Sequence, residues 1–248
     1  MLQRRRLLPK GGSVPVRLFV LAAFAFSLAL NCAALALRFD GLCVPALLIG
    51  WYLADLVSGL VHMTLDYHPC PPALGLRDIF MYQGSRESAD YLALRADRMR
   101  RLTPFQRVAY DFKTHHPRPD ALGRRPLWHQ IGVTLIAAAL PGSIALNAMV
   151  LSGVAPPSLI ALGTALLVGG AFAQHFHGSL HRPVVPWHIA ALRRTGLLMM
   201  PAAHQLHHDT LQRDFATNCG WSNPVVNRVF GALRARGLLD DAGLEPHL

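Results

Sequence analysis

Residues 158–181 read SLIALGTALLVGGAFAQHFHGSLH, and this stretch decides the fold. It carries no Lys, Arg, Asp or Glu and is long enough to cross a hydrocarbon core about 30 Å thick as a helix. Ala161, Ala165, Gly169 and Ala173 recur at i+4, and the same stripe runs on into His177 and His181. Small residues mark the face that packs closely against another membrane helix. Both imidazoles therefore point into a bundle rather than into lipid. An H-x-x-x-H pair on one helical face can hold one metal ion. Pro183 ends the helix, and His175, on a different face, reads as an interfacial polar residue.

The surrounding chain agrees. Spans are expected at about 18–37, 42–62, 128–151 and 158–180, forming two hairpins joined by short turns at 38–41 and 152–157. The chain has 248 residues, 52% of them hydrophobic and 15% charged, against about 25% charged in soluble domains. The expected fold is an all-α integral membrane protein: one domain over 1–248, a four-transmembrane-helix bundle with a histidine-rich cytoplasmic cap. The cap comprises the 63–126 loop and the 182–248 tail, and 88–101 reads either as an amphipathic helix lying on the headgroups or as a solvated charged loop. An uncharged first run of this length exceeds the roughly 7–15 residues of a signal-peptide core, so it is read as a retained anchor.

The formal net charge of +10 has a location. Of the 24 basic residues, five precede the first span, eleven lie between His62 and Pro126 and seven follow His181. That asymmetry places both termini on the cytoplasmic side, and Arg and Ala usage points to a bacterial inner membrane. Aromatics of the base-stacking kind do not interleave with the basic stretches, which excludes nucleic acid as the partner. Cys32, Cys43, Cys70 and Cys219 show no C-x-x-C spacing and read as isolated thiols.

Histidines gather where the spans leave the bilayer. The second span ends with Asp55, Gly59, His62 and Asp66 on one helical face, and an acidic residue within a membrane helix is a functional-site candidate. Pro201 opens a helix with His204, His207 and His208 in an H-x-x-H-H pattern, and His115 and His116 form the fourth cluster. Eight imidazoles without a thiolate suit iron, zinc or copper. They exceed the four ligands of one tetrahedral zinc, so two metals fit better, and an oxygen-activating di-iron pair is the simplest reading. Zinc hydrolysis, copper storage and a membrane metal-binding protein without turnover are the alternatives.

Four motifs then resemble the Kua-type lipid desaturases, which include plasmanylethanolamine desaturase: Asp55 to His62 and Asp66, Phe112-Lys-Thr-His115-His116-Pro-Arg-Pro119, His177-Gly-Ser-Leu-His181, and Pro201-Ala-Ala-His204-Gln-Leu-His207-His208. Phe215 and Gly220-Trp221-Ser-Asn223 look like the family's downstream elements, while Met63 stands where the family usually has Trp and the segment from His62 to His115 is longer than usual. The resemblance implies two non-haem iron ions (Fe2+) that use O₂ and two delivered electrons to desaturate a lipid chain, the 1-O-alkyl ether of an ethanolamine phospholipid in plasmalogen-forming members. It implies His62, His115, His116, His177, His181, His204, His207 and His208 as metal ligands, Asp66 as a ligand or a carboxylate behind one, and Asp55 as a partner orienting a histidine. An acyl-chain desaturase or a lipid hydroxylase would use the same ligands. No nucleotide-binding motif is present, so electrons are expected from a separate carrier, a ferredoxin or a cytochrome b5-like protein.

Overall fold

The computed structural model describes residues 14–70 and 72–244. Arg4, Arg5, Arg6 and His247 lie outside the described residues. In chain order the helices are α1 (Val14–Leu37), α2 (Cys43–Tyr67), α3 (Leu76–Phe80), α4 (Ala89–Arg100), α5 (Pro104–Lys113), α6 (Pro119–Gly123), α7 (Leu127–Thr134), α8 (Leu140–Leu151), α9 (Pro157–Leu180), α10 (Trp187–Arg194), α11 (Pro201–Thr210) and α12 (Asn223–Ala235), with no strand among the described residues. Four helical stretches are long and apolar enough to cross a membrane: Val14–Leu37, Cys43–Tyr67, Leu127–Leu151 and Pro157–Leu180. Phe19, Phe26, Val57, Val133 and Ile144 are exposed along them, as suits surfaces solvated by lipid.

The tightest packing joins α2 to α9, and small residues cause it. A Cβ on Gly169 would stand 2.6 Å from Cβ of Ala54, and one on Gly50 would strike the backbone carbonyl of Leu162. Backbones this close leave no room for larger side chains, so the His177 end of α9 is held against the His62 end of α2. The third span is one continuous rod with a wide turn inside it: α7 and α8 are joined by a π-helical turn, Leu135–Ala139. Pro141 follows at once, and its missing N–H and its ring are incompatible with a regular turn onto the carbonyl of Ala137. A polar knot ties this span to α1. Asn31 Nδ2 donates to Ser143 Oγ at 2.9 Å, Ser27 and Ser143 hydroxyls lie 2.7 Å apart, and Asn147 Nδ2 donates to Ser27 Oγ at 2.8 Å.

At the histidine end, α3, α4 and α5 build a small cap core of Leu76, Ile79, Phe80, Tyr91, Leu102 and Tyr110. The helix reading of 88–101 holds as α4, started by Ser88, whose Oγ accepts from Tyr91 N at 3.1 Å. Its residues Tyr91, Leu94 and Met99 pack into the cap core, while Leu92 is exposed. Periodicity identified the apolar face, but a cap core and a membrane surface demand the same face. The stretch from Gly196 to Met200, too short to cross, tucks under the bundle, where Trp51 Nε1 donates to Leu197 O at 2.9 Å.

Asp55 fixes the tail to the bundle. Its Oδ1 accepts from the backbone N–H groups of Asn218, Cys219 and Gly220 at 3.1, 2.9 and 3.0 Å, and its Oδ2 from Ser222 N at 3.0 Å and Ser222 Oγ at 2.7 Å. The expectation that Asp55 orients a histidine is corrected by these contacts: both of its oxygens are consumed by the 218–222 turn. A carboxylate wrapped by five donors is stable even when fully buried. Asp55→Ala strands those donors at about 1–3 kcal/mol each, non-additively. Limited proteolysis in detergent should show new cleavage around Arg213; an unchanged pattern would show that the turn holds without the carboxylate.

Candidate metal centre

The eight clustered histidines come from four separate elements, and the fold brings all of them together. His62 and Asp66 end α2, His115 and His116 follow α5, His177 and His181 end α9, and His204, His207 and His208 line α11. Proline at the first turn of both α5 and α11 sets where these helices begin. A capping box of Thr103 and Gln106 fixes the start of α5 as well.

Two overlapping sets of ligand atoms result. His115, His177, His181, His204 and His208 form one, and His62, Asp66, His115 and His116 form the other, each with its ligand atoms within 4.8 Å of one another. In the first set, His204 Nε2 lies 3.0 Å from His177 Nε2, 3.2 Å from His181 Nε2 and 3.1 Å from His208 Nε2. In the second, Asp66 Oδ2 lies 3.2 Å from His62 Nε2 and 3.5 Å from His116 Nε2, and His207, outside both sets, places its Nε2 3.4 Å from the same oxygen. A metal with bonds of about 2.1 Å holds its ligand atoms roughly 3.0–3.4 Å apart, which is the spacing observed here.

The chemistry of the donors argues in the same direction. His62 Nδ1 donates to Phe215 O at 2.8 Å, His207 Nδ1 to Arg213 O at 2.8 Å, and His115 Nδ1 to Phe112 O. Each bond fixes the tautomer whose Nε2 carries a lone pair. Those three nitrogens, His116 Nε2 and both oxygens of Asp66 are buried without a hydrogen-bond partner. Lone pairs face lone pairs across the centre. Burying them this way is unfavourable unless a cation lies among them, so the residues fit a metal site.

Burial, reinforced by neighbouring imidazoles, holds His115 and His204 well below the ordinary histidine value. The same causes lower His181 to about 4 and His208 to about 3. All four are neutral at pH 7, the form that ligates metal.

Several supporting residues were not visible as site residues in the sequence. Lys113 is fully buried and its Nζ donates to the carbonyls of Leu65 and Asp66, closing the C-terminus of α2 beneath the second set. Leu211 and Asp214 adopt positive φ of 56° and 61°, a costly conformation for non-glycine residues. Between them the chain turns so that the carbonyls of Arg213 and Phe215 reach His207 and His62. Asn227 bonds Asp214 through both backbone and side chain, and Asn223 clasps Ala216 N and O at 2.8 and 3.1 Å. His175 stays apart, with Nδ1 2.7 Å from Gln130 Oε1.

Two cavities approach the centre from different sides. One, of about 520 Å³, is largely apolar and runs between α2, α7 and α9 from His62 and His177 down to Leu166 and Ala138, with Asp111, Arg125 and His129 at its other limit. The second, of about 740 Å³, reaches His116 and is lined by Arg77, Arg86, Lys113 and Arg118.

A family model described as a lipid desaturase domain matches residues 104–234, just over half of the chain. His115, His116, His177, His181, His204, His207 and His208 fall inside that match, while α2, with Asp55, His62 and Asp66, precedes it. No curated protein and no solved structure matches the chain. The matched residues supply most of the lining of the apolar cavity and seven of the eight clustered histidines, and by that match this integral membrane chain belongs to the lipid desaturase domain family.

Proposed function

We propose that the chain is an O₂-dependent di-iron desaturase that forms the vinyl ether of a plasmalogen from plasmanylethanolamine. The overall reaction converts O–CH₂–CH₂ to O–CH=CH, with O₂, the two substrate hydrogens, two electrons and two protons leaving as two waters. His115, His177, His181, His204 and His208 would hold one iron, and His62, His116, His207 and Asp66 the other. Bound iron supplies the activation of O₂. The histidine end faces the cytoplasm of a bacterial cell, in keeping with the basic cap.

The observation that carries this reading is where the apolar cavity meets the histidines. Along α9 its lining extends from His177 to Leu166, which at 1.5 Å per residue is about 16 Å. That is roughly half of a 30 Å hydrocarbon core, the depth of one leaflet. A chain filling it has its glycerol end beside His62 and His177 and its methyl end among Leu166, Leu167 and Ala138. The bond that reaches the metals is then near the glycerol, as an ether Cα–Cβ bond is, and not in mid-chain. Phe112 lies edge-on to the His62 ring, with centroids 5.3 Å apart, and together with Val61 and Val108 excludes water from the bond being oxidised.

Electrons would arrive on the other side. The basic cavity that ends at His116 suits docking by an acidic carrier, a ferredoxin or cytochrome b5-like protein.

Lipid extracts from cells with and without the chain, analysed by mass spectrometry before and after acid, test the substrate. The expected product is an ethanolamine ether lipid lighter by two hydrogens that disappears on acid treatment. Acid-stable unsaturation would identify an acyl desaturase, and a gain of one oxygen a hydroxylase; either overturns the vinyl-ether reading. His181→Ala and His208→Ala should lower product by roughly 100-fold or more while leaving membrane insertion intact; full activity removes that residue from the ligand set. The exposed His188 can be replaced by Ala without loss. Purified protein should contain about two irons per chain, and zinc-loaded, iron-free protein that keeps full turnover would eliminate the di-iron proposal.

A further inference from the structure

We propose that Asp111 and Arg125 read the headgroup of the lipid in the apolar cavity, and that they select a zwitterion: an ammonium for Asp111 and a phosphate for Arg125. This rests on the lipid-desaturase reading of that cavity.

Both residues line the cavity on the same wall as the ligand-bearing segment. Asp111 is on α5, one helical turn before His115, and Arg125 lies two residues before α7 begins. They are thus at the level where the spans leave the bilayer, which is where the polar end of a lipid would sit. Arg125 Nη2 is 3.4 Å from Asp111 Oδ1 and Nη1 is 3.5 Å from Oδ2, with the two side chains 32% and 37% exposed. A long, part-exposed ion pair of this kind contributes little to stability, so a ligand bearing both charges can replace each partner with its own at little cost.

The pairing of signs also discriminates. A purely anionic headgroup meets Arg125 but is repelled by the neighbouring carboxylate, whereas a zwitterion satisfies both groups with charge-assisted hydrogen bonds. The backbone around the pair is set: α5 starts with a capping box, and Arg125 N donates to Leu122 O at 3.2 Å. His129, exposed beside them at the same cavity, adds a further polar group.

The test compares wild type, Asp111→Asn and Arg125→Gln in vesicles, using two ether lipids with identical chains, one ethanolamine-headed and one glycerol-headed and anionic. Asp111→Asn should lower the ethanolamine-over-glycerol preference in kcat/KM by about tenfold, through KM rather than kcat. Arg125→Gln should raise KM for both lipids. Metal content and melting temperature are measured in parallel to confirm that each variant is folded. An unchanged preference in folded, metal-replete Asp111→Asn would overturn the proposal and leave the pair as a strut between α5 and the start of α7. Should wild type oxidise neither ether lipid, the ether-substrate reading fails on its own. The headgroup proposal is then decided by equilibrium binding of the same two lipids, where an equal affinity of wild type and Asp111→Asn for each would refute it.

Discussion

Buried lone pairs are the constraint on which the rest of this structure depends. Eight imidazoles and the carboxylate of Asp66 converge in a largely buried cluster, several with no hydrogen-bond partner. Such a cluster is stable only around cations. Everything that surrounds it serves to keep those nitrogens pointing inward. Backbone carbonyls of Phe112, Arg213 and Phe215 hold the outer ring nitrogens. The strained turn at Leu211 and Asp214 exists to deliver two of those carbonyls. Such strain persists only where neighbours over-determine it, and here Asn223, Asn227 and Asp55 do so.

Position in the bilayer matters as much as coordination. The small-residue contact between α2 and α9 places the ends of two spans, and so His62 and His177, side by side at the edge of the membrane. Apolar space lies below them and basic space beside His116. The centre therefore has a dry approach and a wet one that do not share an entrance. The proposed function, oxidation of a water-insoluble chain with electrons from a water-borne carrier, would need that separation.

The spans, the cap and the convergence of the histidines were legible in the sequence because each leaves a periodic trace: apolar runs, i+4 stripes and H-x-x-x-H spacing. What was not legible was set by contacts between distant segments. Asp55 could be recognised as costly from its place in an apolar helix, but nothing near it announces that the Asn218–Ser222 turn lies more than 160 residues away at hydrogen-bond distance. Carbonyls that fix tautomers leave no mark at all, since every residue has one. The direction of α4 was ambiguous for a different reason: burial in a cap and adsorption to a surface require the same amphipathic pattern. Lys113, one of two lysines in the chain, could have been noticed for its place beside a histidine motif.

The Asp55 contact has a consequence for how the protein is made. The carboxylate sits in the second span, yet its partners at 218–222 are synthesised more than 160 residues later. His204, His207 and His208 emerge only shortly before them. During synthesis the early half of the histidine cluster must wait in the membrane without its complement, so a metal held by both halves would enter late. Asp55 is then the latch that closes only after 218–222 have been made, joining the early part of the cluster to the late one.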